Sequence, residues 1–472
     1  MIQLRDYQTA AIEDVRTELR AGHRRVCLVM PTGSGKTYTA ASLVAGAINK
    51  GKRVLWLAHR TELVDQAIAS LETVGVKCGA VAASSGHPSR GFAPCQVASI
   101  QTLIARKHYP EADVIVSDEC HHMVAKEFRA VLDQYKTQPI IGLTATPERG
   151  DGRGLGEVFD AIVVGTTVSH LVSTGSLVHA ELIAPSLELR SGEIAMHPVA
   201  AYQQYAAGRQ TIVFTNCVKA AIDQCAAFDA AGIKACYVTG AMSAQSRAVA
   251  LNGFKSGKYQ VLCNVMVLTE GFDAPTTSAC ILARGVGTTG LYLQMVGRVL
   301  RPAPGKTDAV IIDLHGASRN HGHPEDAYTY SLDGQGVRSG ADPIEREFSS
   351  CKVCGCPLGD EDIACSDCGV VRDTIKPPRV VESPMVKFAR KRAEGPEERW
   401  ATLQRWGREA RAKGYKPGWI LGRAKAVYGT APSWSEVQRA YAGAAERSTP
   451  CAACLRNGDG DKCALTKDHH AA

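Results

Sequence analysis

Short, continuous apolar runs rich in β-branched side chains alternate along this chain with stretches of helix length in which apolar and polar positions mix. A first series of runs falls at residues 26–30, 54–58, 97–100, 114–117 and 140–143, and a second at 212–214, 235–238, 261–264, 280–282 and 310–312. Runs that are apolar on both alternating faces predict strands covered on both sides, as in parallel sheets, rather than half-exposed antiparallel ones. Two such series predict two α/β domains in tandem. A Gly-rich stretch at 148–156 closes the first series, and a short connector at 190–197 leads into the second. A polar region at 320–347 closes the second, with its His residues in a polar loop. Paired cysteines follow, then Lys376-Pro377-Pro378 as a linker, then a region of helical pattern.

Composition adds little until it is read by position. Of 472 residues, 45% are hydrophobic and 21% charged, which excludes collagen-like, coiled-coil and wholly disordered chains. No run is long enough to cross a bilayer, and residues 1–6 lack the basic-then-apolar plan of a signal peptide, so the expected compartment is the cytoplasm, or a host's cytoplasm. The net charge of +7 is unevenly spread: residues 383–447 hold 14 Lys/Arg against 6 Asp/Glu, together with four of the five tryptophans. Any basic function is therefore concentrated there. Nine of the 17 cysteines (Cys27, Cys78, Cys95, Cys120, Cys217, Cys225, Cys236, Cys263, Cys280) are scattered singly through apolar stretches, where a reducing compartment tolerates them as small buried hydrophobes. The other eight crowd after residue 350.

The chemistry sits at the ends of the expected strands. Pro31-Thr32-Gly33-Ser34-Gly35-Lys36-Thr37 follows the first strand and opens an alanine-rich helix. Glycines let successive backbone N–H groups curl around a phosphate, and the helix N-terminus adds a positive dipole. Lys36 would reach the β/γ-phosphates and the Thr37 hydroxyl would ligate Mg²⁺. The strict form of this loop has Gly where Met30 stands. Asp118-Glu119-Cys120-His121 ends the strand at 114–117, where a carboxylate faces the ligand crevice of such a sheet. Asp118 would hold Mg²⁺ and Glu119 would orient and deprotonate an attacking water.

Together these motifs resemble the superfamily 2 DEAD/DEAH-box helicases, and the family's other motifs follow in order. Leu4-Arg5-Asp6-Tyr7-Gln8 resembles the element that reads adenine, which gives Arg5 and Gln8 a nucleotide role. Residues 57–63 and 99–103 are similar to strand-binding motifs, and Leu143-Thr144-Ala145-Thr146-Pro147 to the element coupling hydrolysis to domain movement. Residues 268–275 and 294–301 complete the set. The likeness extends most closely to RadD-type and phage or prophage DEAD/DEAH proteins, although the connector between residues 189 and 211 is short for that group. The resemblance implies two RecA-like domains that close on ATP. Gly271 and Asp273 would join the nucleotide site, Gln294, Arg298 and Arg301 would be catalytic, and both arginines would reach across the cleft as arginine fingers. Arg60, Gln101, Thr102 and Thr269 would touch the nucleic-acid backbone, and His121, Thr144 and Thr146 would couple the two sites.

Cys351-x-x-Cys354 and Cys365-x-x-Cys368 have the spacing of a structural Zn²⁺ ribbon, with Cys356 a spare thiol. Cys451, Cys454, Cys463 and His469 or His470 leave a second site open. Trp400, Leu403 and Trp406 repeat at helical spacing beside Arg399, Arg405, Arg408 and Arg411. The tryptophans read as a small core and the arginines as phosphate contacts. The expected layout is a first RecA-like domain at 1–180, a second at 181–345, a zinc ribbon at 346–376, a basic helical module at 377–448 and a Cys/His-rich tail at 449–472. The expected activity is ATP-dependent movement on nucleic acid, with DNA the favoured polymer, no membrane partner and room for protein partners at the C-terminal region. The alternatives are a translocase subunit of a restriction-type system and a binding scaffold with little turnover.

Overall fold

The computed structural model describes residues 3–59, 61–82, 92–148, 154–268, 272–328, 330–333, 348–350, 357–359, 376–388, 396–412, 414–420 and 434–442. The chain divides into two units, 1–391 and 392–472.

The first unit holds two seven-stranded sheets. The first sheet contains β1 (Arg25–Val29), β2 (Val54–Ala58), β3 (Cys78–Val81), β4 (Cys95–Ser99), β5 (Val114–Ser117), β6 (Ile140–Thr144) and β7 (Ala161–Val164), all parallel, in the order β3-β4-β2-β5-β6-β1-β7. The second contains β8 (His179–Pro185), β10 (Thr211–Thr215), β11 (Ala235–Val238), β12 (Val261–Asn264), β13 (Ala279–Ala283), β14 (Asp308–Asp313) and β18 (Met385–Lys387), with the two-residue strand β9 (Glu193–Ile194) standing outside it. Its order is β11-β12-β10-β13-β14-β8-β18, parallel except where β18 runs against β8. Helices cover the strands, so the central ones are buried on both faces: β2 and β6 are buried at every position, and Trp56 is fully enclosed. This explains why these strands read as continuous apolar runs.

All ten expected strands are present. The second sheet also includes β8, which lies ahead of the connector at 190–197 and pairs with β14 in register Asp308↔His179. The end of the second series also differs from the expected polar loop. His321 and His323 are buried and bonded within the protein: the His321 ring is 2.7 Å from the Val286 carbonyl through Nε2 and 3.2 Å from Thr289 Oγ1 through Nδ1, and His323 Nε2 is 3.1 Å from Ala180 O. Polar residues are tolerated inside when each finds a partner, a feature that composition cannot reveal. The chain then returns to the first sheet's side, where Gly156 N donates to Leu332 O at 2.7 Å and Tyr330 and Leu332 pack on its core. Among the described residues beyond, β15 (Phe348–Ser350) pairs antiparallel with β16 (Pro357–Gly359), and β17 (Arg379–Val380) pairs with β9.

The nine scattered cysteines are all buried thiols, none of them in a disulfide among the described residues, as their apolar settings predicted. Burial pushes the Cys225 thiol up to about 11 and Cys236 to about 12, and holds Cys263 well above the ordinary value. Thiolate is the reactive form. Native-state alkylation with iodoacetamide followed by peptide mapping is therefore expected to spare these three until denaturant is added.

In the second unit, helices Pro396–Ala412 and Trp434–Ala442 enclose a small cluster of Leu403, Trp406, Ala410, Ile420, Val437 and Ala440. Trp406 is core, while Trp400 is partly covered and stacks under the Arg439 guanidinium at 5.4 Å. Arg405, Arg408 and Arg411 are exposed on the same helix.

Candidate nucleotide site

Strands β5, β6 and β1 lie side by side, so the segments that leave their C-terminal ends converge on one edge. These are residues 30–35 after β1, 118–119 after β5 and 145–147 after β6. The chain turns out of β1 through Gly33 (φ 87°) and Gly35 (φ 79°), both in the left-handed region, and enters the helix Lys36–Ile48. The space is as restrictive as the backbone. A Cβ on Gly35 would stand 2.7 Å from Gln8 Nε2, and one on Gly33 would stand 2.9 Å from Leu177 Cδ2 and 3.2 Å from Arg301 Cγ. The loop is braced from behind: Tyr7 donates its hydroxyl hydrogen to Ser34 O at 2.9 Å, and Gln8 Nε2 donates to the same oxygen at 3.2 Å. Gln8 Oε1 accepts from Arg5 N at 3.0 Å. Arg5 and Gln8 are thus tied to the loop. Tyr7 is a brace that sequence reasoning passed over, although it stands between them.

Lys36 Nζ lies 3.0 Å from Glu119 Oε1 and 3.7 Å from Asp118 Oδ1. Burial pulls its ammonium toward the neutral form, but the Glu119 and Asp118 carboxylates outweigh that and hold it above its ordinary value. A lysine facing two carboxylates is the donor set a nucleotide–Mg²⁺ complex needs: the ammonium for phosphate oxygens, Asp118 and the nearby Thr37 hydroxyl for the metal. The Ser34 hydroxyl oxygen is buried in the same loop with no hydrogen-bond partner among the described residues. The residues present therefore fit ATP and Mg²⁺.

Glu119 occupies a left-handed backbone conformation (φ 47°, ψ 54°), sparsely populated by any residue with a side chain. The thiol of Cys120 sits directly behind it, 3.8 Å from Cys27 Sγ. His121 Nδ1 lies 3.3 Å from Thr144 Oγ1 and 3.5 Å from Glu119 Oε2. Because Thr144 donates its own hydroxyl hydrogen to Thr146 O at 2.6 Å, its oxygen accepts from an Nδ1–H on His121. The three residues expected to couple, His121, Thr144 and Thr146, therefore form one hydrogen-bonded group that reaches Glu119.

The second sheet's side completes the edge. The helix Thr289–Gly297 carries buried Gln294 and runs directly into Arg298 and Arg301. It approaches so closely that a Cβ on Gly290 would meet Thr146 Oγ1 at 2.5 Å and one on Gly297 would meet Thr32 Cβ at 2.8 Å. A mostly apolar cleft between Pro31, Thr32 and Ala145 on one side and Leu293, Val296 and Leu300 on the other marks the seam. Arg298 and Arg301 both donate to the Phe272 carbonyl, at 2.9 and 3.2 Å, and Arg301 also pairs with Asp273. Both arginines thus stand at the seam, fixed by a backbone carbonyl inside the 268–275 motif. Gln101 and Thr102 open the helix Ile100–Arg106 after β4, and the register Ala58↔Ser99 sets them beside the end of β2. Arg60, Thr269, Gly271 and the cysteines Cys351, Cys354, Cys365 and Cys368 lie outside the described residues.

Comparison with known proteins agrees with this geometry. Residues 1–149 match the family model for the Type III restriction enzyme res subunit, and residues 196–303 match the helicase conserved C-terminal domain. The chain carries the two-domain core of a superfamily 2 helicase. This helicase core is 30% identical over 314 residues to a 51.5 kDa protein of a Lactococcus phage (isolate 7-9), covering 62% of this chain and 66% of the relative. It is 30% identical over 363 residues to a Saccharomyces cerevisiae protein described as the ATP-dependent helicase IRC3, covering 67% of this chain and 52% of that one. The chain thus spans between half and two thirds of the length of these relatives. The fold of the restriction-modification enzyme LlaBIII, solved bound to DNA, superimposes with a TM-score of 0.52 at 19% identity, covering 66% of this chain and 28% of that one.

Proposed function

We propose that this protein is a nucleic-acid-dependent ATPase that couples hydrolysis to movement along DNA. The observation that carries the reading is the joint construction of the site: Lys36 gathers Asp118 and Glu119 at the end of the first sheet, and Arg301 from the second stands against Gly33 of the same loop, across a seam closed by Gly297 against Thr32. Hydrolysis and the relative position of the two sheets are then the same event.

The assigned roles follow from the donors. Backbone N–H groups of 33–37 and Lys36 would hold the phosphates, Arg5 and Gln8 would face the base, and Thr37 and Asp118 would hold Mg²⁺, which supplies neutralisation of phosphate charge when bound. Glu119 orients a water and takes its proton. Arg298 and Arg301, the latter paired with Asp273, would stabilise the charge that develops on the transferred phosphoryl group, and Gln294 and Gly271 are assigned to the same site by their motifs. Arg60, Gln101, Thr102 and Thr269 grip the strand backbone, which is a sequence-independent contact. The choice of DNA over RNA is supported by LlaBIII, which shares this fold and was solved with DNA bound. ATP-driven displacement of a third strand from triplex DNA tests the reading. Displacement that requires ATP is the expected result; hydrolysis without displacement would contradict movement along duplex DNA.

A second reading, as the motor of a restriction-type system, draws on the family model matched by residues 1–149. ATP-dependent cleavage of plasmid DNA by the purified chain would favour it.

The ribbon reading of Cys351, Cys354, Cys365 and Cys368 is part of the proposal. It is supported by strands β15 and β16, whose antiparallel pair flanks the first cysteine pair, and by a four-thiolate donor set that suits Zn²⁺. Mass spectrometry under native conditions is expected to find at least one Zn²⁺ per chain, and folded metal-free protein would refute it. The exposed Arg405, Arg408 and Arg411 are proposed as additional phosphate contacts.

A further inference from the structure

We propose that His59, His122 and His121 form a packed relay that positions Glu119, so that a strand held at the end of β2 sets the orientation of the carboxylate that activates water. The inference rests on the nucleic-acid-dependent reading above and deepens it by naming residues that join the two sites.

The three imidazoles form a continuous column. The His59 ring centroid lies 4.2 Å from that of His122 with a 47° tilt, and His122 lies 4.2 Å from His121 with a 43° tilt. Both spacings are ring-to-ring contact, with no room for a layer between. At one end of the column, His59 follows β2 directly and precedes residue 60, and the register Ala58↔Ser99 brings the start of the helix carrying Gln101 and Thr102 beside it. At the other end, His121 reaches Glu119 and Thr144.

Two features make this column more than filling. His121 and His122 share one tight turn, the 3-10 helix Cys120–Val124, whose N-cap residue is Glu119 itself. A push on the His122 ring is therefore delivered to the Glu119 backbone through two residues of stiff chain. Glu119 also holds a left-handed conformation, which for a non-glycine residue persists only while its surroundings enforce it. Its setting therefore depends on the groups packed against the turn, the kind of dependence that coupling between distant sites needs. His59 and His122 are positioning residues in this scheme, because neither touches the reacting atoms.

The test compares hydrolysis without polymer and with single-stranded DNA, duplex DNA or RNA, whichever stimulates the wild type most. In His122→Ala, the unstimulated rate and the KM for ATP are expected to stay within about twofold, while the stimulated rate falls about five- to tenfold. His122→Phe, which keeps a flat ring in the column, is expected to restore most of the stimulation. His122→Gln, which keeps a polar side chain in the turn but removes the ring, is expected to uncouple in the same way and serves if the turn does not tolerate alanine at 122. Stimulation unchanged in His122→Ala, an equal loss of both rates, or failure of His122→Phe to rescue would each overturn the relay. A wild type that no polymer stimulates would overturn the nucleic-acid reading itself, and is seen before any variant is made.

Discussion

Lys36→Ala is expected to lower ATP turnover by at least about 10²–10³-fold, the range typical of removing one preorganised group that stabilises developing charge. The geometry makes the loss twofold in origin. The ammonium that would meet the phosphates disappears, and the Asp118 and Glu119 carboxylates, 3.7 and 3.0 Å from it, lose the cation that compensates their burial. Nucleotide binding is expected to weaken together with turnover. Glu119→Gln separates the two effects: the amide is nearly isosteric, so ATP binding persists, but it cannot accept the proton of water, and turnover is expected to fall by about 10²–10⁴-fold. Steady-state hydrolysis alongside binding of a fluorescent ATP analogue reads both variants. Wild-type-like turnover in either would remove the assignment.

Arg298→Ala and Arg301→Ala are expected to cost about 10³–10⁵-fold in turnover each, the range for arginines that neutralise transition-state charge in phosphoryl transfer. The Phe272 carbonyl that both side chains share fixes them at the seam, and the approach of Arg301 to Gly33 brings it against the loop itself. Arg301→Lys is not expected to rescue, because a lysine offers a point charge where the planar fork bonds a carbonyl and an anion together. ATP affinity should change far less than turnover. If both variants kept near-normal rates, the second sheet would contribute nothing to the chemistry and the joint site would be wrong.

The two sheets were legible because their central strands are buried on both faces and so announce themselves as unbroken apolar runs. The strands that the pattern did not show are mainly those at edges. β3 and β7 flank the first sheet and β18 flanks the second; β18 is largely exposed, and β3 contains the small residues Cys78, Gly79 and Ala80. β8 was hidden for another reason: His179 and Glu181 interrupt its apolar run. The phosphate loop and the Asp118-Glu119 pair were legible because their chemistry dictates residue types at fixed spacing. Tyr7, the Phe272 carbonyl and the His59–His122 contact were not. All but His122 lie inside recognised motifs, but their partners are set by which groups the fold brings together from distant positions, and spacing does not show that. The inward-facing His321 and His323 mislead for a related reason, since a polar residue with backbone partners looks the same in sequence as one in water.

The central claim is that a site built from both sheets turns over ATP in response to nucleic acid. Steady-state hydrolysis without polymer and with single-stranded DNA, duplex DNA or RNA tests it most directly. The expected result is a low rate alone and strong stimulation by DNA, lost in Arg298→Ala. A rate indifferent to all three polymers would contradict it.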